Sequence, residues 1–295
     1  MNNTFTLARG ATLGLALAAC FSPQSHAQDA APAPAHASPN NWNDTFIGVR
    51  YADDLYFPGS AKKVAQKIGT LTSVGGSRYG SYMLTADYLV SDANNPAAGS
   101  GTEGAQEIYS VGRATLSAAK LLGHPVGAGP VRDVGLTGGF EFSAKNDAFG
   151  SRARMLVLGP TVELAVPHGY WNITAGWRSE TNYNGITHAA VRYATAPHLE
   201  SAWLFPFKIG PLPTVFKGFT SITAPKGKDG FHVETKTETL TRVSLLFDVG
   251  ALAGHPRTVF IGPGYEYWTN MFGTPSATKP GSKRSAPSLN AEFHF

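Results

Sequence analysis

Side chains alternate along Ser285–Phe295 with the period of an extended strand. Pro287, Leu289, Ala291, Phe293 and Phe295 fall on one face, and Ser288, Asn290, Glu292 and His294 on the other, because successive side chains of a strand point to opposite sides. A half-buried strand of a soluble sandwich shows the same pattern. The length of the run and its aromatic end favour another setting, in which the apolar face meets lipid and the polar face a lumen.

The same period recurs from Trp42 onward, in segments split by Gly, Pro, Asn and Asp. In the first, about 44–53, Ile47, Val49 and Tyr51 oppose Phe46, Gly48 and Arg50. Near 78–90, Tyr82, Leu84, Ala86 and Tyr88 oppose Met83, Thr85 and Asp87. Near 170–180, Trp171, Ile173, Ala175 and Trp177 oppose Asn172, Thr174, Arg178 and Glu180. With runs near 64–73, 106–116, 131–142, 153–166, 198–207, 214–223, 237–249, 258–270 and 285–295, the total is about twelve. In the second, fourth, sixth and ninth runs the polar and apolar residues do not separate cleanly. An error of one residue there exchanges lumen for lipid.

Beyond Phe21 no run of 18 apolar residues occurs, the length a membrane helix needs. A membrane crossing by strands requires a closed barrel. The expected fold is therefore all-β, a transmembrane antiparallel β-barrel of about twelve strands with both ends in the periplasm. Short connections at Pro167–Gly169, Lys208–Pro213 and Gly250–Pro256 alternate with longer polar ones at 182–197, 225–234 and 272–284. Ala118–Pro130 is a long exception on the short-turn side. Tyr51, Tyr88, Tyr170, Trp171, Trp177, Tyr265 and Tyr267 fall near expected strand ends, as interfacial girdles do.

Charged residues make up 15% of the chain, below the ordinary quarter or so, which suits an exterior facing lipid. The net charge of +4 is scattered rather than gathered in a stripe, so a nucleic acid polymer is not an expected partner. Residues 1–27 read as a cleaved signal peptide. Arg9 begins it, Gly10–Phe21 form the apolar core, and Ser25-His26-Ala27 is the cleavage site. Leu17-Ala18-Ala19-Cys20 is a competing lipobox. Either route takes the chain out of the cytoplasm, to a Gram-negative outer membrane. Residues 28–41, rich in Ala and Pro, form a flexible periplasmic lead-in, and residues 42–295 form the barrel.

Few motifs carry chemistry. Gly99-Ser100-Gly101-Thr102-Glu103-Gly104 matches a dinucleotide fingerprint but sits between two strands, without the βαβ unit it needs. Ser60-Ala61-Lys62-Lys63 matches SxxK without its companion motifs. The histidines show no metal spacing, and no catalytic set emerges. His294, near Glu292 on the inward face, keeps open a barrel enzyme acting on lipid. A structural or host-contact barrel working through its loops is the other alternative.

The inward positions hold more information. Arg50, Asp87, Asp133, Glu141, Arg178, Glu180, Arg242, Asp248, Glu266 and Asn270 fall there by alternation. Both signs are present, so ion pairs should cross the lumen. Phe46, Trp268 and Trp203 add aromatic faces, on which flat heterocycles or sugars stack for about 1–3 kcal/mol each. Aromatics filling space between strands account for them equally well. The candidate substrate-binding residues are Phe46, Arg50, Asp87, Arg178, Glu266 and Trp268.

Several blocks resemble one family. They include Gly48-Val49-Arg50-Tyr51, Ala86-Asp87-Tyr88-Leu89-Val90-Ser91-Asp92 and Gly104-Ala105-Gln106-Glu107-Ile108-Tyr109. Gly129-Pro130-Val131-Arg132-Asp133-Val134-Gly135-Leu136-Thr137, Phe247-Asp248-Val249-Gly250, Glu266-Tyr267-Trp268 and Ala291-Glu292-Phe293-His294-Phe295 continue the likeness. Together they resemble the Tsx-like nucleoside-specific channel-forming proteins of the outer membrane, over most of the chain after Trp42. The resemblance implies a passive channel for nucleosides or similar small polar aromatic solutes, without a cofactor. Its partners would be outer-membrane lipid, a small-molecule permeant and the assembly machinery that reads the closing strand through Phe295.

Overall fold

The structure is a computed structural model that describes residues 41–98, 104–146 and 149–295. The expected leader 1–27 with Cys20, the lead-in up to residue 40, and Gly99–Glu103 of the glycine-rich run lie outside the described residues.

The described chain is almost entirely strand: β1 (Trp42–Leu55), β2 (Val64–Gly76), β3 (Gly80–Ser91), β4 (Gln106–Ser117), β5 (Val131–Asn146), β6 (Arg152–Leu164), β7 (Tyr170–Asn184), β8 (Ala189–Arg192), β9 (Ala196–Ile209), β10 (Leu212–Thr223), β11 (Glu238–Asp248), β12 (Val259–Thr269) and β13 (Lys283–His294). Neighbours pair antiparallel, and the β6–β7 and β1–β13 pairings close a ring of twelve strands. The strand outside the ring is β8, which pairs only with the end of β7 and continues the wall above β9. At the seam Phe46 lies opposite His294 and Tyr51 opposite Leu289. The Phe295 amide extends the ladder to the Thr45 carbonyl at 3.0 Å.

Both chain ends of the ring lie at one rim, with the tight connection 210–211. The opposite rim carries the long loops 92–105, 224–237 and 270–282. The long exception on the terminal side holds a one-turn helix, α1 (Ala118–Leu122). The Ser117 hydroxyl caps it by accepting from the Lys120 amide, and Gly123 ends it at φ 74°, a left-handed conformation that favours glycine.

Outward positions form an apolar belt that includes Ile47, Leu71, Leu84, Ile108, Leu136, Leu156, Leu158 and Phe293, all exposed. Inward positions are mostly buried and polar, among them Thr72, Asp87, Thr137, Glu141, Thr174 and Asn290. The ambiguous runs resolve with residues on unexpected sides. In β2 Ile68 points inward and Lys67 outward; in β6 Met155 and Val157 point inward, Arg152 and Arg154 outward. Three expectations need correction. Trp203 shares its face with its partners Trp171 and Gly218, and so faces outward. Asn270 lies beyond β12 in a left-handed turn and bonds the Thr237 carbonyl at 2.8 Å. Trp177 sits mid-strand in β7, away from either rim.

A charge in the middle of this belt opposes the membrane directly. Leu158→Arg is expected to cost about 2–4 kcal/mol, read as a lower urea midpoint for folding into lipid vesicles, with Leu158→Ala losing less.

Candidate functional site

The inward face of the ring carries charge at mid-height, and the charges meet across the lumen. Arg113 on β4 donates from Nε to Glu200 on β9 at 2.9 Å, and its Nη2 touches both Glu200 and Glu141. Strands β5, β6 and β7 separate β4 from β9, so this contact is a chord across the barrel. Arg113 Nη1 donates to the Gly112 and Phe140 carbonyls, each at 3.0 Å. Its register partner Gly139 leaves the room it needs, since a Cβ there would lie 2.5 Å from Arg113 Cδ.

The network spreads from this chord. Glu141 accepts from the Tyr109 hydroxyl at 2.7 Å and lies 3.7 Å from Arg178. Arg178 lies 3.6 Å from Glu180 and donates to Thr223 at 3.3 Å. Glu180 in turn binds Lys226, which the loop after β10 inserts into the mouth; both side chains are 4% exposed. His198 completes the set, 3.1 Å from Glu200.

A second cluster surrounds Glu266 on β12. It accepts from Arg242 Nε at 2.9 Å and from Arg284 at 2.6 Å. Asp87 accepts from Thr70 at 2.8 Å. Arg50 lies in the field of Asp87, Glu266, Arg242 and Arg284. Of the three arginines around Glu266, Arg50 alone makes no hydrogen bond or ion pair among the described residues.

The rims differ from this middle. Toward the terminal rim, Lys217 on β10 reaches Glu292 on β13 at 2.6 Å and sits 4.6 Å from the Phe46 ring centre. His294 stacks on Phe46 with ring centres 4.7 Å apart, and its two nitrogens meet Asp44 at 2.9 Å and Glu292 at 3.4 Å. With carboxylates on both nitrogens, His294 has none left to take a proton from a hydroxyl nucleophile. Toward the long-loop rim, Trp268 donates to Glu238 at 2.9 Å, and the Phe272 ring meets it nearly edge-on at 4.9 Å.

All six sequence candidates face the interior, but they do not form one box. Arg50, Asp87 and Glu266 share a cluster, and Arg178 belongs to the Arg113 network. Phe46 and Trp268 lie toward opposite rims, each already against a ring and a cation. Sequence reasoning missed Arg113, Glu200, Lys217, Arg284 and Lys226. The inward face of β4 carries Tyr109, Val111 and Arg113, and its outward face Ile108, Ser110 and Ala114, so neither face stood out as polar. Lys226 lies in a loop, where alternation says nothing.

A closed strand ring with an apolar exterior and a charge-paired interior defines an outer-membrane β-barrel. No protein-family model matches the sequence, and no curated protein matches it. Among solved structures it is similar to the outer membrane channel COG4313 from Pseudomonas putida F1 (TM-score 0.45, 9% identity, covering 90% of this chain and 100% of that one). It is also similar to the translocator domain of the autotransporter NalP from Neisseria meningitidis (0.44, 11%, 86% and 88%). A third is the NanC porin (0.42, 9%, 86% and 100%). Membrane placement rests on the chain's own closed ring and apolar belt.

Removing one partner of a buried ion pair strands the other in a poorly solvating interior, typically at about 3–5 kcal/mol, whereas replacing both is far milder. Arg113→Met is therefore expected to lower barrel stability in urea by roughly that amount. The double variant Arg113→Met with Glu200→Met should recover a large part of the loss.

Proposed function

We propose that the protein is a passive outer-membrane channel for small polar solutes, with nucleosides or similar planar heterocycles as the permeant class. Arg50 is the observation that carries this. Among the described residues its donor fork is unused, while its neighbours Arg242 and Arg284 are both taken by Glu266. A guanidinium both hydrogen-bonds ring carbonyls and stacks on flat faces, and contacts of that kind hold a solute weakly enough to release it. The Tsx-like blocks that include Arg50 and Glu266 support the same solute class. The Arg113–Glu200 chord sets the constriction, and diffusion needs no cofactor.

Residues 1–27 direct export, and the closing strand through Phe295 engages the outer-membrane assembly machinery. Phe295→Ala should then reduce the fraction of chains that reach the folded, heat-modifiable form in cells. Wild-type yield from that variant would count against the role.

The chord itself favours a second reading, in which the lumen stays sealed and the barrel acts through its loops. Planar-bilayer recording separates the two. The channel should conduct weakly, conduct more after Arg113→Ser, and be blocked by added nucleosides. Arg50→Ala should raise the half-blocking concentration about tenfold, the equivalent of about 1.4 kcal/mol. Current that nucleosides leave unchanged would sink the solute class, and silence in both proteins would sink the channel.

A further inference from the structure

Strand β6 departs from the rest of the belt at one end. Its outward face reads Arg152, Arg154, Leu156 and Leu158 toward mid-strand, with the two leucines 65% and 56% exposed. Arg154 lies opposite Thr181 of β7, and Thr181 lies opposite Arg192 of β8. The three residues therefore share the outer face on adjacent strands. At about 4.8 Å per strand spacing, the two arginines are about 10 Å apart at their Cα atoms, with the exposed Thr181 hydroxyl between them. Arg152, two residues along, is held against the Tyr183 ring at 4.8 Å.

Among the described residues none of these three arginines is paired with a carboxylate. Glu141 and Glu180, on the flanking strands, point into the lumen. The carboxylates of this sector are thus taken by Arg113, Arg178 and Lys226 inside, and the outer face carries arginines without them.

Height fixes what the arginines meet. Trp171 lies near the start of β7 on the same outer face, ten positions before Thr181. At about 3.3 Å per residue and a tilt of about 40°, ten residues rise about 25 Å along the barrel axis, the height of the apolar band. Arg154, Thr181 and Arg192 consequently stand at headgroup level, at the long-loop rim, while Leu156 and Leu158 lie among acyl chains.

We propose that Arg152, Arg154 and Arg192 form a binding site on the outer wall for the phosphorylated headgroup of an outer-leaflet glycolipid. Guanidinium forks match phosphate oxygens, Thr181 supplies a further donor, and the leucines below take the acyl chains. Continuity with the lipid-facing belt points to a lipid rather than a soluble anion. The site is independent of what passes through the lumen.

Native mass spectrometry of the full-length, detergent-solubilised barrel titrated with bis-phosphorylated lipid A provides the test. Wild type should retain the lipid, and the variant carrying Arg152→Gln, Arg154→Gln and Arg192→Gln should bind at least tenfold more weakly. Dephosphorylated lipid A should bind wild type no better than that variant. Lys67→Gln with Lys283→Gln removes two outward cations of the same rim elsewhere on the ring and should leave binding unchanged. Arg192→Gln alone, on the strand outside the ring, keeps the test valid if the triple variant fails to fold, and should itself weaken binding. Equal binding by wild type and the arginine variants overturns the site. So does an equal loss in the lysine variant, or equal binding of phosphatidylglycerol.

Discussion

Every backbone N–H and C=O of a strand in lipid must find its partner within the protein, because no water is there to serve. An open sheet cannot meet that condition, since its edges stay unpaired. Here the condition is met where β1 pairs β13 and β6 pairs β7, closing the ring. The other properties follow from closure. A closed ring has one inside and one outside, so the alternation of each strand becomes a sorting of residues between lumen and lipid.

Sorting concentrates charge where solvation is poor. Arg113, Glu141, Arg178, Glu180 and Glu200 arrive inside from four strands, and an isolated charge there would carry a heavy desolvation cost. They answer it by pairing in a continuous web, to which backbone carbonyls and the Tyr109 hydroxyl add further hydrogen bonds. The web ties β4 to β9 across the lumen, so the same contacts that neutralise the interior also narrow it. The lumen wall thereby carries both signs of charge close together, without a run of either.

Much of this was legible in the sequence, for a physical reason. Wherever outward apolar and inward polar residues separate, as in β1, β3, β5, β7, β11 and β13, period-two reading placed both the strand and its faces. It failed where the interior takes apolar residues, as at Ile68, Met155 and Val157, or where the exterior takes charge. The short β8 escaped because four residues show no period, and α1 because a single turn shows none either. The candidate site was legible only as a list of inward residues. Alternation says that Phe46 and Trp268 face inward, but their separation along the axis and the contacts that occupy their rings depend on register between strands. The lumen-crossing pairs depend on it still more, since Arg113 and Glu200 are distant in sequence and three strands lie between theirs.

The strand that read worst, β6, is informative for that reason. Its inner face carries Met155 and Val157 opposite Glu180 and Arg178 of β7, so apolar bulk backs the ion pairs and keeps water from them. Its outer face carries Arg152 and Arg154 where lipid-facing residues are expected, at the strand end by the long-loop rim, and an outward cation costs least near a membrane interface. A charge moved two residues further along the same face, to Leu156, would leave that layer for hydrocarbon. The inverted stretch therefore ends where the membrane's own polarity profile turns over. The blurred alternation of β6 marks two environments stacked along one strand, and not a weak strand.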